Sequence, residues 1–380
     1  MNQIPFNKPF LTGNETRYIE QAVQSGKISG DGIFTKKCHS FFEETYQFRK
    51  VLLTTSCTDA LEMAAILLNI KEGDEIIMPS YTFVSTANAF ALRGAHIVFV
   101  DSRSDYPGID ENKIEQYITP KTKAIVVVHY AGVACDMDII MDIAKHHGLY
   151  VVEDAAQAID SFYKGKPLGS IGHLSTFSFH ETKNIISGEG GMLVINDEQF
   201  IERAEIIREK GTNRSKFFRG ETDKYNWVDI GSSFLPSEII AAFLFAQLEN
   251  LKNIQDKRKL LWNTYYNYLE SIKEKVRLPF IPNFATNNAH MFYLVCRSVD
   301  ERDALIQQLK AHGILSVFHY VGLHCSPFHK KTNVEIKLPN AEYYSDGLIR
   351  LPLFYDLDEE QIKKKIAPII VDFFVRNHNT

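Results

Sequence analysis

Long apolar runs are missing from this chain. The most apolar tract near the C-terminus, Ile366-Ala-Pro-Ile-Ile-Val-Asp-Phe-Phe-Val375, is broken by Asp372. It falls short of the roughly 20 residues a spanning helix needs, so no membrane span is expected. Met1-Asn-Gln-Ile-Pro5 has neither a charged n-region nor an apolar h-region, so no secretory leader is expected and the cytoplasm is the expected location. Cysteine is scarce: Cys38, Cys57, Cys135, Cys296 and Cys325 are odd in number and scattered, which excludes a disulfide framework. Excess basic charge is missing too, with 42 Lys and Arg against 47 Asp and Glu, a net charge of −5. That argues against a general nucleic-acid binder, and an anionic ligand would need a local basic patch. No internal repeat or low-complexity tract is present. His319, His324, Cys325 and His329 match no standard zinc spacing, so no metal site is expected.

What is there is an ordinary folded composition: 380 residues, 45% hydrophobic and 23% charged, enough for a sizeable core and two domains. From about residue 50 to 200, short Val/Ile runs alternate with helical periodicity. The runs are Val51-Leu-Leu-Thr, Glu75-Ile-Ile-Met-Pro79, His96-Ile-Val-Phe-Val-Asp101, Ala124-Ile-Val-Val-Val-His-Tyr130 and Leu149-Tyr-Val-Val-Glu-Asp154. Runs without polar alternation predict strands buried on both faces of a mostly parallel α/β sheet. A helix is expected around Lys113 to Ile118. Beyond Asp197 the pattern turns helical, with one long helix or a bent pair from Pro236 to about Ile272. A strand is expected at Leu315–His319 and a final helix from Asp358 to Phe374. The expected division is a large domain over 1–250, including an N-terminal arm, and a smaller α+β domain over 251–380.

The chemistry concentrates in one pair. Lys183 follows an apolar strand, Leu174-Ser-Thr-Phe-Ser178, and precedes the glycine cluster Gly188-Glu-Gly-Gly191, where backbone can approach a ligand closely. Asp154 ends a buried-looking strand one α/β unit earlier. A lysine able to form a Schiff base and an aspartate able to pair with a pyridinium nitrogen are what pyridoxal phosphate chemistry requires of a protein. A carboxylate in that place is often only the cap of the next helix. Against that stands its position at the carboxyl end of a parallel strand, where α/β sheets bind ligands. Glu153 points to the other face by strand alternation. Gln157 lies near enough for the cofactor's ring hydroxyl. Thr54-Thr-Ser-Cys-Thr58 sits at a strand-to-helix junction, so Cys57 and Thr58 are expected at an anion-binding helix start, where Ser56 or Thr58 also serves as a plain cap. Ser178 is expected to add a hydrogen bond to the phosphate. Phe83 is preferred to Tyr81 as the aromatic stacked on the ring. Arg214 and Arg219, in the basic segment from Arg208 to Arg219, are expected to clamp a diphosphate or carboxylate.

Taken together, Ser56-Cys-Thr58, Pro79-Ser-Tyr-Thr-Phe83, Val152-Glu-Asp-Ala-Ala-Gln157 and Phe177-Ser-Phe-His-Glu-Thr-Lys183-Asn resemble the DegT/DnrJ/EryC1/StrS sugar aminotransferases over essentially the full length. Gly30-Asp-Gly32 and Phe318-His-Tyr320 fit as well, which marks His319 and Tyr320 as substrate-binding. Within the family, His129-Tyr-Ala-Gly-Val-Ala-Cys135 and Arg208-Glu-Lys-Gly-Thr-Asn-Arg214 are similar to the dTDP-4-amino-4,6-dideoxygalactose transaminases. The resemblance implies the fold-type-I architecture of pyridoxal-phosphate transferases, a mostly parallel, mixed seven-stranded sheet with a smaller C-terminal domain. It also implies a homodimer with shared active sites, L-glutamate as amino donor and a dTDP-4-oxo-6-deoxyhexose as acceptor. The related dehydratase branch places histidine where this chain has Lys183. One departure stands out. Most of the family carries a Gly-Tyr-Asn-Tyr-Arg-like segment whose Asn reaches the partner's cofactor phosphate, and here the text is Gly231-Ser-Ser233-Phe-Leu235. Ser233 retains a hydrogen-bond donor; Leu235 replaces a guanidinium, a loss that Arg214 or Arg219 is expected to make good.

Overall fold

The computed structural model describes residues 3–332 and 335–376. The Val/Ile runs form a seven-stranded sheet from β1 (Lys50–Thr54), β2 (Glu75–Pro79), β3 (His96–Val100), β4 (Thr122–Val128), β5 (Tyr150–Asp154), β8 (Leu174–Ser178) and β9 (Gly191–Ile195). Between β5 and β8 lies a small hairpin of β6 (Phe162–Tyr163) and β7 (Lys166–Pro167). The sheet order is β1-β9-β8-β5-β4-β2-β3, and β9 alone runs antiparallel to its neighbours. Alternation along the strands fills a core on each face. Val51, Ile125, Val127, Val151 and Val194 pack on one side, while Leu52, Ala124, Val126, Val152 and Leu193 pack on the other. That double burial is why these strands carry no polar alternation.

Two helices, α1 (Glu15–Gln24) and α2 (Ile33–Tyr46), precede the sheet, and α3 (Cys57–Leu67), α4 (Val84–Ala91) and α5 (Met137–His147) follow β1, β2 and β4. Then come α6 (Ile201–Arg208), α7 (Arg214–Phe218), α8 (Glu238–Leu248) and α9 (Leu251–Leu269). The bent pair is thus realised, with Asn250 donating its side-chain amide back to Ala246 O at 3.1 Å across the break. In α9, Leu251 and Ile254 belong to a core on the large sheet, while Leu261, Tyr265 and Leu269 belong to a third core around the C-terminal sheet. That sheet has the order β10-β12-β11, from β10 (Phe292–Val295), β11 (Val317–Phe318) and β12 (Leu348–Leu351), all antiparallel.

Three expected elements are corrected. Lys113 to Ile118 forms two short 3-10 turns, Glu111–Lys113 and Glu115–Tyr117, rather than an α-helix. The strand expected over Leu315–His319 shrinks to Val317–Phe318, because Tyr320 turns the chain with φ 47°. The last helix contains a π-helical turn, Ile362–Ile366, before Ala367–Arg376. Pro368 follows that turn and has no N–H to donate, and a widened turn relieves the clash a proline ring makes with the preceding turn.

Gly30-Asp31-Gly32 is a structural turn. The buried Glu238 carboxylate accepts from Gly32 N at 2.9 Å, Phe34 N at 2.8 Å and Thr35 N at 3.1 Å, and so closes the start of α2. Asp31 accepts from Arg208 Nη2 at 2.7 Å. Among the described residues no helix is long and apolar enough to cross a membrane.

Candidate active site

The carboxyl ends of β1, β2, β5 and β8 open into one cleft of about 490 Å³. Period-two alternation separates the two carboxylates that end β5. Glu153 turns away from the cleft, where it accepts from His129 Nε2 at 2.9 Å and from Gly169, Ile171 and Gly172 N at 2.9, 2.8 and 2.6 Å. Its burial is answered by those donors, which hold its carboxyl below the usual range. Asp154 turns into the cleft. It accepts from Thr86 Oγ1 at 2.7 Å and from Ala156 N at 3.2 Å. Burial dominates and raises its pKa, with Thr86, Ala156 N–H and Lys183 pulling the other way. A buried carboxylate with only these donors is suited to a cationic ligand group opposite it.

Beside it, α3 begins at Cys57 with Ser56 as its cap, Ser56 Oγ accepting from Asp59 N at 3.1 Å. The first N–H groups of α3 stay available for an anion. Thr58 Oγ1 lies 2.8 Å from Ser85 Oγ, and both line the cleft with Ser178. Gly191 makes the close approach possible: a Cβ there would stand 2.4 Å from Cys57 N and Ser56 C.

Lys183 is not on β8 but in the irregular loop after it, its N–H bonded to His180 O at 2.9 Å. The loop returns Lys183 into the same cleft as Asp154. Burial lowers its pKa, only partly offset by Cys57 and Asp154. Phe83 is 54% exposed and lines the cleft, whereas Tyr81 is fully buried with its hydroxyl donating to His319 O at 2.5 Å. Gln157 Oε1 accepts from Ala131 N at 2.6 Å and its Nε2 donates to Tyr320 OH at 3.1 Å. Tyr320 stacks on His319 with centroids 3.5 Å apart, and His319 Nδ1 meets Tyr130 OH at 2.7 Å. Cys57, Thr58, Phe83, Asp154, Gln157, Ser178, Lys183, His319 and Tyr320 therefore share one cleft.

The basic segment is a correction. Neither Arg214 nor Arg219 lines the cleft of its own chain. Arg219 is held by Glu205 at 2.8 Å and Glu221 at 2.7 Å, Lys216 by Glu202 at 2.6 Å, and Arg214 lies 5.0 Å over the Phe218 ring. The glutamates of α6 pair with Lys216 and Arg219 of what reads in the sequence as a free basic patch. Ser233 is exposed and also outside the cleft. The sequence reading missed Thr86, His290 and Arg350, all in the cleft. A signal for Arg350 was present: it is the one charge in the apolar strand Leu348-Ile-Arg-Leu351. Away from the cleft, His324, Cys325 and Glu342 bring possible ligand atoms within 4.8 Å of one another. His324 is engaged there by Ser80 Oγ at 2.6 Å on Nδ1 and by Glu342 at 3.2 Å on Nε2.

Pyridoxal phosphate fits this donor set: a buried carboxylate for its ring nitrogen, a lysine, an exposed aromatic and a helix start for its phosphate. Known proteins agree. A protein of Methanocaldococcus jannaschii of uncharacterized function is 32% identical over 367 residues, covering 94% of this chain and 95% of its own. A Streptococcus pneumoniae protein solved in its PLP form superposes with a TM-score of 0.89 at 27% identity, covering 98% of both chains. An aminotransferase from Streptoalloteichus hindustanus gives 0.90 at 26% identity, with 99% of this chain and 100% of the other covered. A Helicobacter pylori aminotransferase involved in the biosynthesis of pseudoaminic acid gives 0.89 at 25%, again with 99% and 100% covered. The family model matches residues 9–369, so this chain belongs to the DegT/DnrJ/EryC1/StrS aminotransferase family and is a sugar aminotransferase whose cofactor is pyridoxal phosphate.

Proposed function

We propose that the protein moves the amino group of L-glutamate onto C4 of dTDP-4-oxo-6-deoxy-D-glucose. The products are 2-oxoglutarate and the 4-amino-4,6-dideoxy sugar, with the galacto epimer favoured, for bacterial surface polysaccharide biosynthesis, and the enzyme works in the cytoplasm. The observation that carries the transamination is the convergence of Lys183 and Asp154 in one cleft. The choice of sugar rests on the motif similarity described above.

When bound, pyridoxal phosphate supplies the electron sink that lets a proton leave the carbon bearing the amino group. Asp154 holds the positive charge of the ring nitrogen. The start of α3, with Thr58 and Ser178, holds the phosphate, and Phe83 covers a ring face. Lys183 carries the proton. Burial depresses the pKa of its amine, which favours the neutral, basic form. Gln157, tied to Tyr320, reaches the ring hydroxyl, and His319 and Tyr320 face the sugar.

The reading includes a homodimer. Its support is a group of exposed apolar side chains in one segment, with Phe218 65%, Trp227 79% and Val228 51% exposed. Ser233 and Arg214 lie along this segment and serve the partner's cleft. The test is the visible spectrum of the purified protein. L-Glutamate should bleach the cofactor band and dTDP-4-oxo-6-deoxyglucose should restore it. Bleaching without restoration by this sugar discards the acceptor; the absence of a band after adding pyridoxal phosphate discards the whole reading.

A further inference from the structure

Arg350 is delivered to the cleft by strand alternation. On β12, Ile349 and Leu351 fill the C-terminal core, while Leu348 packs with the core shared with the large sheet. Arg350 lies on the Leu348 side, paired in register with Tyr293 and Val317. It lines the cleft with Lys183, His290, His319 and Tyr320.

Its guanidinium meets no carboxylate among the described residues, and its buried Nε has no hydrogen-bond partner there. The Phe6 ring lies 4.6 Å from it. Other enclosed arginines have an acceptor: buried Arg208 shares the unpartnered Nε but its Nη2 pairs with Asp31 at 2.7 Å. Arg258 donates to Ala289 O at 3.1 Å and His290 O at 2.7 Å, and Arg203 pairs with Asp229 at 2.7 Å. Burying a guanidinium without a counter-charge is costly, and arginine does not shed its proton. The neighbouring histidines do not compete for an anion. Burial holds both His290 and His319 well below their usual pKa, so they are neutral. Asp154 is committed to the cofactor's ring nitrogen and the start of α3 to its phosphate. Arg350 is the arginine that the chain presents to its own cleft, and Leu235 leaves no guanidinium at the place where most of the family has one.

We propose that Arg350 binds the α-carboxylate of the amino donor and of its oxo-acid product, as a planar fork on a planar anion. This rests on the transaminase reading. The competing source of an anion is the diphosphate of the sugar nucleotide, and a two-half reaction separates the two.

The experiment uses holoenzyme of wild type, Arg350→Gln and Arg350→Lys, matched for cofactor content and circular dichroism. Stopped-flow bleaching by L-glutamate reports the donor half. Restoration of the band by the keto-sugar, from the aminated enzyme, reports the acceptor half. A spectral titration with α-methyl-L-glutamate reports donor binding without turnover. In Arg350→Gln, half-saturation by both glutamates should rise by about tenfold to a hundredfold. The sugar half should be unchanged and Arg350→Lys should recover part of the loss. A loss confined to the sugar half assigns Arg350 to the diphosphate and overturns the proposal. Equal loss in both halves, or none in either, also overturns it. Wild-type enzyme that no amino acid bleaches would instead remove the transaminase reading beneath it.

Discussion

Thr86 Oγ1 donates to Asp154 Oδ2 across 2.7 Å, from the first turn of α4 to the end of β5. Burial raises the Asp154 pKa above 3.8, and this hydroxyl is the leading opposing influence. Cofactor binding needs the charged carboxylate, so affinity falls as pH drops into the window above 3.8 where cofactor-free Asp154 takes up a proton. Thr86→Val should move that fall to higher pH. The check is the cofactor dissociation constant against pH; an identical profile in the variant would show that Thr86 does not act through Asp154.

Lys183→Ala should retain the fold and lose transamination by about 10⁴-fold or more. Measurable steady-state turnover would remove Lys183 from its role. A second consequence concerns protons. Burial lowers the Lys183 pKa below 10.5, so the unfolded chain binds more protons than the cofactor-free folded one in the window below that value. Lys183 therefore makes stability rise with pH there. Urea unfolding of the cofactor-free protein should show that rise in wild type and a flatter profile in Lys183→Met.

Glu238→Ala should destabilise the protein by about 2 kcal/mol, since the buried N–H groups of Gly32, Phe34 and Thr35 lose their common acceptor. Glu238→Gln keeps one oxygen and should cost less. Urea midpoints rank the three proteins; equal midpoints would mean that water replaces the carboxylate.

Arg219→Ala should leave the Michaelis constants for both substrates unchanged. Its charge is spent on Glu205 and Glu221, and half-exposed pairs of this kind contribute about 0–1 kcal/mol of stability. A marked rise in either constant would return Arg219 to the substrate.

Much of this site could be read before the fold was known. Asp154 and Glu153 were separable by alternation alone, because a strand buried on both faces fixes which neighbour points where. Cys57 and Thr58 were placed by helix-start chemistry, and the structure puts both at the start of α3. Of the two aromatics after β2, Phe83 lines the cleft and Tyr81 lies in the core. The misreadings share a cause. Arg219 looked free because its glutamate partners lie on another helix or beyond the segment, and Arg350 was not singled out at all.

The sheet and the lysine–aspartate pair are legible along the chain, because hydrophobic periodicity, strand alternation and helix capping act over a few residues. Which cations face the cleft depends on long-range packing. Arg350 comes from a strand 196 positions after Asp154 in the chain (350 − 154), and its lack of a counter-ion emerges only when the two sheets are packed together. A charge is free or spent according to what distant segments bring beside it, and no local pattern encodes that.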